Sequence, residues 1–423
     1  MTSEPDAYPS VAEVAAAASA FARSRLVPPS TLREIGRSRQ GRPLRLLSVG
    51  RGRRHILVVA GPHSDERVGP ATALRLAHRV AADPALHAGA DASWHFLLCL
   101  DPDGTVRSEA GPAVRRTPAE HFRHAYRPPA DEQPEWAPSI RQPDDQLPES
   151  RALLDLIDEL RPELQCSLHG NDLGGSWVQL TRDIPGLAEP LGKLSAERDV
   201  PVQTGTYDAL YWTVSGPGVY LMPAPGRRAQ FDSLPEDVGR STWIHPHRHG
   251  GMTALFEVPM WASPDVADTS PHPEPGRALA GLAALLRQHA DRTGALLDRV
   301  RPLVAGDGPL TRVAEGMAPI MRSVAHDWDH LDPSPVPLTR AHLHALDIAA
   351  RRISLRATGT LLRLLDGLPS SSSEAGLRAA CATQHSLWST ELASGHSLAW
   401  VPVPVQVDLQ SETVLAAFRL LGE

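Results

Sequence analysis

The chain of 423 residues is almost without lysine: Lys193 is the only one, so every other of its 42 basic residues is arginine. That bias marks a GC-rich, bacterial coding genome and says nothing of function. Basic charge as a whole is in deficit, since 49 acidic residues leave a net charge of -7 and a pI near 6.3. A chain without a positive surplus is poorly suited to nucleic acid, whose phosphates require a positive field. Cysteine is scarce too. Cys99, Cys166 and Cys381 are an odd number in unrelated contexts, which excludes a disulfide framework and predicts reduced, buried thiols in the cytoplasm. No uninterrupted apolar run approaches membrane-spanning length, and the opening MTSEPDAYPS carries acid where a secretory signal carries base. A cytoplasmic protein without a membrane partner is expected.

What is present is material for a large core. With 42% hydrophobic and 22% charged residues the chain is globular, and its length exceeds one ordinary core, so a large domain plus a second region is the expectation. Val11 to Ala22 reads as an alanine-rich helix, and a hairpin around Gln40-Gly41 follows. The run His55 to Ala60 suits a strand buried on both faces; beyond Gly61-Pro62 and Gly69-Pro70 a helix begins. Trp94 to Leu100 is another strand, ending in the turn Asp101-Pro102-Asp103-Gly104. Arg107 to Glu149 shows no period and reads as a long loop. A helix from Glu149 to Leu160 leads to a strand from Leu164 to Leu168. Leu187 to Glu197 is helical, and Thr253 to Val258 is the last central strand. Four prolines from Pro264 to Pro275 mark a boundary, after which helical stripes dominate, one of them capped by Thr339 and closed by Gly367. The stretch near 400–408 reads as extended, its prolines confining it to a sheet edge.

Chemistry gathers where strands end, because loops there open above the sheet. His63 and Glu66 stand directly beyond the strand His55 to Ala60, and His169 stands beyond Leu168. Two histidines and a glutamate, with a wide gap before the third ligand, are the donor set of one catalytic zinc ion. His245, His247 and His249 alternate before a strand and read as surface or pocket-lining residues.

At these residues the chain resembles the zinc carboxypeptidases of the carboxypeptidase A and B type. The likeness runs through YPSVAEV, EIGRSRQGRPLRLLSVG, GPHSDERVG, LDPDG, LPESRALLDLIDELRP before CSLHG, and GGMTALFEVPMW, so it covers roughly residues 8 to 262. It implies that His63, Glu66 and His169 bind zinc and that Glu257 is the general base. It further implies that one arginine stabilises the oxyanion, Arg107 or Arg116, and that another grips a substrate carboxylate, Arg123 first and Arg127 next. The family's Asn-Arg pair appears as Phe122-Arg123, and its Asn-Pro-Asp-Gly as Asp101-Pro102-Asp103-Gly104. For the covering tyrosine the candidates are Tyr207, Tyr211 and Tyr220.

The fold implied is α/β, a mixed and mostly parallel sheet sandwiched by helices. A catalytic domain over 1–263 is followed by a helical C-terminal region over 275–423 that walls the substrate funnel or mediates a homodimer. The function implied is a zinc-dependent hydrolase that removes a C-terminal residue from a small peptide or peptide-like metabolite. Two readings stand beside it: an N-acyl amino acid deacylase on the same scaffold, and a metal-free binding protein.

Overall fold

Alternate residues of the strand Arg54–Ala60 serve two different cores. Ile56, Val58 and Ala60 face one layer of helices, while Leu57 and Val59 face the other, because successive side chains of a strand point to opposite sides. That double burial is why the segment is apolar without interruption. The computed structural model describes residues 6–24, 28–111, 117–210, 212–223, 238–331, 338–368 and 372–422. It opens with α1 (Val11–Arg23), whose Ser10 and Glu13 cap one another reciprocally. The expected hairpin follows as β1 (Ser30–Arg37) and β2 (Pro43–Val49), antiparallel. Next come β3 (Arg54–Ala60), α2 (Val68–Ala82) and β4 (Ala92–Leu97).

Asp101 accepts a hydrogen bond from the Gly104 amide and opens α3 (Pro102–Ser108), so the Asp-Pro-Asp-Gly stretch begins a helix and is not a free turn. The segment from Arg107 to Glu149 is likewise no continuous loop. It holds α4 (Pro118–His124), introduced by a capping box of Thr117 and Glu120, and α5 (Ala137–Ile140). Helices of two turns or fewer carry too little periodicity to register in a sequence. Then come α6 (Pro148–Leu160), β5 (Leu164–Gly174), β6 (Trp177–Leu180), α7 (Ala188–Ala196), β7 (Thr213–Gly216), β8 (Val219–Leu221) and β9 (Met252–Ala262).

The strands form one mixed sheet in the order β1-β2-β4-β3-β5-β9-β6-β8-β7. Its centre, β4-β3-β5-β9, is parallel, and antiparallel pairings flank it. Both β5 and β9 outrun their expected ends at Leu168 and Val258: they stay paired from Leu164 opposite Met252 to Gly174 opposite Ala262. The polar run His-Gly-Asn-Asp hides this extension, because its side chains are buried in a polar site and not among hydrocarbon.

The C-terminal helices are α8 (Pro275–Val300), α9 (Pro309–Asp329), α10 (Arg340–Asp366) and α11 (Ser372–Gly395). Thr339 caps α10 as expected, and Gly367 follows its end. The extended segment near 400–408 is a correction. Only β10 (Ala399–Trp400), paired to β9, is strand; from Val403 the chain is helical as α12 (Val403–Leu420). Pro402 and Pro404 stand before and in its first turn, where the missing amide hydrogens are not needed. Val414, Leu415, Ala417 and Phe418 of α12 join the core with α1, α2 and α7 on one face of the sheet, opposite α6. The chain beyond the proline-rich boundary is thus not one separate body, since its last helix returns to the first core. Helices α8 to α11 spend their apolar stripes on each other and on Phe122. Their exposed large apolar residues among those described, Leu303, Ile320 and Leu387, stand singly. The described residues therefore give no support from an apolar patch to the expected homodimer.

Candidate metal centre and active site

The turn between β3 and α2 is tight: the Glu66 amide donates to the His63 carbonyl at 3.2 Å. Gly69 lets α2 lie close against β5, for a Cβ there would stand 3.0 Å from the Leu168 carbonyl oxygen. This brings His63 and Glu66 over β5. His169 is not at a strand end but at the first position of β5 beyond the end of its pairing with β3, at Ala60 opposite Leu168. One strand outrunning its neighbour opens the same kind of gap as a strand end. Likewise Glu257 lies within β9, directly opposite His169 in the parallel pairing.

His63, Glu66 and His169 are all buried, and their ligand atoms lie within 4.8 Å of one another. His63 Nδ1 is 2.9 Å from Glu66 Oε1, and His169 Nδ1 is 3.0 Å from Glu66 Oε2. Among the described residues this is the one cluster able to hold a metal. Two imidazoles and a carboxylate suit zinc. The far side of His169 is also held: its Nε2 meets Glu135 at 3.1 Å, an orientation that leaves Nδ1 for the metal. Glu135 in turn accepts from Ser167 Oγ at 2.6 Å and from Trp243 Nε1 at 2.8 Å. Nothing in the sequence singles out Glu135, which lies in an aperiodic segment; its flanking Pro134 and Trp136 mark only irregular structure.

The electrostatics divide the ligands. Burial, reinforced by Arg127, lowers the His63 pKa. His169 is pushed the other way despite its burial, because Glu135 and Glu66 favour its charged form. Glu66 is held well below the usual carboxylate range: burial opposes this, but His63 and Arg127 prevail. Glu257 is pushed up to about 8 by burial and by the negative charge of Glu66, and its Oε2 is buried without a hydrogen bond.

Arg127 is the arginine at this cluster. Its Nη1 donates to Glu66 at 2.6 Å, and its Nη2 reaches His63 at 2.9 Å. Arg123 lies elsewhere, paired with Asp366 at the end of α10. Phe122 is buried beneath α10, where Gly359 permits an approach so close that a Cβ would stand 2.0 Å from the Phe122 carbonyl. Arg107 stacks over the Tyr126 ring at 5.7 Å, and its carbonyl accepts from Arg363. Arg116 and Tyr211 lie outside the described residues. Tyr220 is buried and donates to the Gln203 carbonyl at 2.9 Å, and Tyr207 packs edge-on against Trp328 with ring centroids 6.1 Å apart. His245 and His249 both meet Asp158 at the surface, and His247 meets Thr181.

The cluster rests on a buried ionic layer that the sequence did not reveal. Arg356 of α10 reaches Asp65 at 2.7 Å and Asp172 at 2.6 Å. His121 meets the other oxygen of Asp172 at 2.7 Å.

A sequence profile described as zinc carboxypeptidase matches residues 28–175. No curated protein matches the sequence. Among solved structures the chain is similar to a metallo-carboxypeptidase from Burkholderia cenocepacia, at 19% identity and a TM-score of 0.38, over 60% of each chain. It is also similar to the carboxypeptidase A of Helicoverpa armigera, at 16% identity and a TM-score of 0.39, over 60% of this chain and 65% of that one. The match thus spans less than two thirds of the length of either protein. No helix among the described residues is long and apolar enough to cross a membrane.

Proposed function

The chain carries a domain of the zinc carboxypeptidase family, and on that premise we propose that it is a zinc-dependent hydrolase cleaving the C-terminal amide bond of a small peptide or peptide-like metabolite. The observation that carries this reading is the register of β5 and β9, which sets Glu257 opposite His169 and beside the ligand set. His63, Glu66 and His169 hold the ion. Zinc supplies a Lewis acid that polarises the scissile carbonyl and acidifies water. Glu257 accepts the proton of the attacking water and returns it to the leaving nitrogen. Burial and Glu66 raise its pKa to about 8 against the opposing charges of His169 and Arg127, and a dication beside it would favour the ionised, proton-accepting form. Arg127, whose donors already point at the ligand set, stabilises the charge that develops on the carbonyl oxygen. Three buried, free thiols suit the reducing cytoplasm.

One observation favours a second reading, N-acyl amino acid deacylation. Phe122 and Arg123 are committed to the C-terminal helices, so the pair from which a grip on the substrate's terminal carboxylate was expected is engaged elsewhere. The test is a peptide series with free and amidated C-termini offered to the zinc-loaded protein. Loss of turnover on amidation supports the exopeptidase. Equal turnover of both sinks it and leaves an amidohydrolase.

A further inference from the structure

Four carboxylates, Asp101, Asp103, Glu132 and Glu149, gather where the turn of the β1–β2 hairpin meets α3 and α6, and three guanidiniums answer them. Arg42 meets Asp103 at 2.7 Å, Arg312 of α9 meets Glu132 at 2.6 Å, and Arg39 reaches Glu132 at 3.1 Å and Glu149 at 3.4 Å. Asp101 is left over. It is 1% exposed, and among the described residues no cation pairs with it. Its Oδ1 accepts from the Gly104 amide at 2.9 Å, while its Oδ2 is buried without a hydrogen bond, as is Glu149 Oε2. A carboxylate buried without a cation is costly enough that such a group takes up a proton instead. One proton on Asp101 cancels the surplus charge and adds a donor to a set with two acceptor oxygens that lack one.

Asp101 also stands against the turn of the metal ligands. Its amide donates to the Gly61 carbonyl at 2.9 Å, just beyond the end of β3. Gly104, in the first turn of α3, approaches that turn so closely that a Cβ would collide with Asp101 Oδ2 and stand 2.7 Å from the Ser64 Cβ. Ser64 lies between His63 and Glu66, so α3 props the segment that holds two of the three ligands.

We propose that Asp101 is held as an unionised acid and acts as an alkali-sensitive brace: when it loses its proton, the surplus charge loosens α3 and the hairpin from the turn that carries His63 and Glu66. The brace acts on retention of the metal and is independent of what the site cleaves. The electrostatics agree. Burial, with the charges of Glu149 and Asp103 behind it, pushes the Asp101 pKa up to about 7 against the Gly104 amide and Arg39. Cys99 and Tyr126, which also face it, are pushed up to about 12, chiefly by burial, so neither competes near neutrality.

The test uses the full chain. Asp101→Asn keeps an acceptor for the Gly104 amide and cannot ionise. An acid with a raised folded pKa stabilises the fold fully below its unfolded value and loses that contribution as pH rises to the folded one. In denaturant titrations at one fixed zinc concentration, the folding constant of Asp101→Asn relative to wild type should therefore grow between about pH 4 and about pH 7, by up to about tenfold per pH unit, and level off above. A ratio that stays flat or falls across that range overturns the protonated acid. Infrared spectra give a second reading that needs no Asp101 variant. In Glu257→Gln, where the other raised carboxyl is gone, the carbonyl band of an unionised acid should vanish near neutrality. Adding Glu149→Gln should move that loss to lower pH, since Arg39 is freed and a like charge removed. No such band, or one indifferent to Glu149, overturns the proposal as well. Zinc release to a chelator reads the brace itself. Wild type should release the ion several-fold faster than Asp101→Asn at about pH 9 and no faster at about pH 6. Rates that agree at both pH values overturn the brace.

Discussion

Arg356 donates to Asp172 at 2.6 Å across 184 residues of sequence, tying the C-terminal helices to the strand that carries His169. The carboxylate is fully buried, and the same guanidinium reaches buried Asp65 at 2.7 Å. Arg356→Met would leave two interior carboxylates short of their cation. Breaking a buried pair on one side costs about 3 to 5 kcal/mol, so thermal unfolding should show a clear drop in Tm while the isolated zinc ligands remain intact.

The same pair sets an acid limit. Burial raises the Asp172 pKa, but Arg356 and His121 outweigh it and hold the group well below its ordinary value of 3.8. A depressed carboxylate contributes stability that is complete above the unfolded pKa and fades as pH falls through the folded one. Denaturant titrations should therefore show wild-type stability declining below about pH 4, with a smaller decline for Arg356→Met.

Glu257→Gln keeps the shape of the side chain but cannot accept a proton. Turnover should fall by about 10² to 10⁴-fold, the usual contribution of a general base, with zinc content unchanged by metal analysis. Full activity would place the base elsewhere.

Glu135 touches no substrate, yet it fixes the ring of His169 from behind at 3.1 Å. Glu135→Gln should weaken zinc binding by about 10 to 100-fold, as loss of an outer-shell partner does. Competition with a chromogenic chelator measures it. An unchanged affinity would mean that the strand alone orients the imidazole.

Zinc affinity should also climb with pH past neutrality. Without metal, His169 is pushed well above 6.5 because Glu135 and Glu66 outweigh the effect of burial, so binding must displace its proton. Below the raised pKa, affinity should change by about tenfold per pH unit for the one proton released. Proton release measured in two buffers of different ionisation enthalpy checks this directly.

The elements legible in the sequence are those with a local cause. Thr339 and Gly367 bracket α10 because caps are written in single residues. The apolar run of β3 is likewise visible because both its faces are buried. His63, Glu66 and His169 are legible since their types and spacing restrict the chemistry. Glu135 and Arg356 are not, because each reaches the site through tertiary packing, one from an aperiodic segment and the other from a distant helix. Arg123 shows the converse: its place in the chain suggests substrate, whereas the helix it faces supplies Asp366.

One contact bears on when the site can exist. The Gln410 amide donates to the carbonyls of His169 at 2.6 Å and of Phe256 at 2.8 Å, so the last helix clamps the two strands that carry a zinc ligand and the base. A ribosome adding about 5 to 20 residues per second reaches Gln410 roughly 12 to 50 seconds after His169. Through that interval the nascent chain holds all three ligands but lacks the layer that covers their sheet. Full metal affinity is therefore expected only once α12 has been made, and a chain ending near residue 400 should carry every ligand without the helix that closes their sheet.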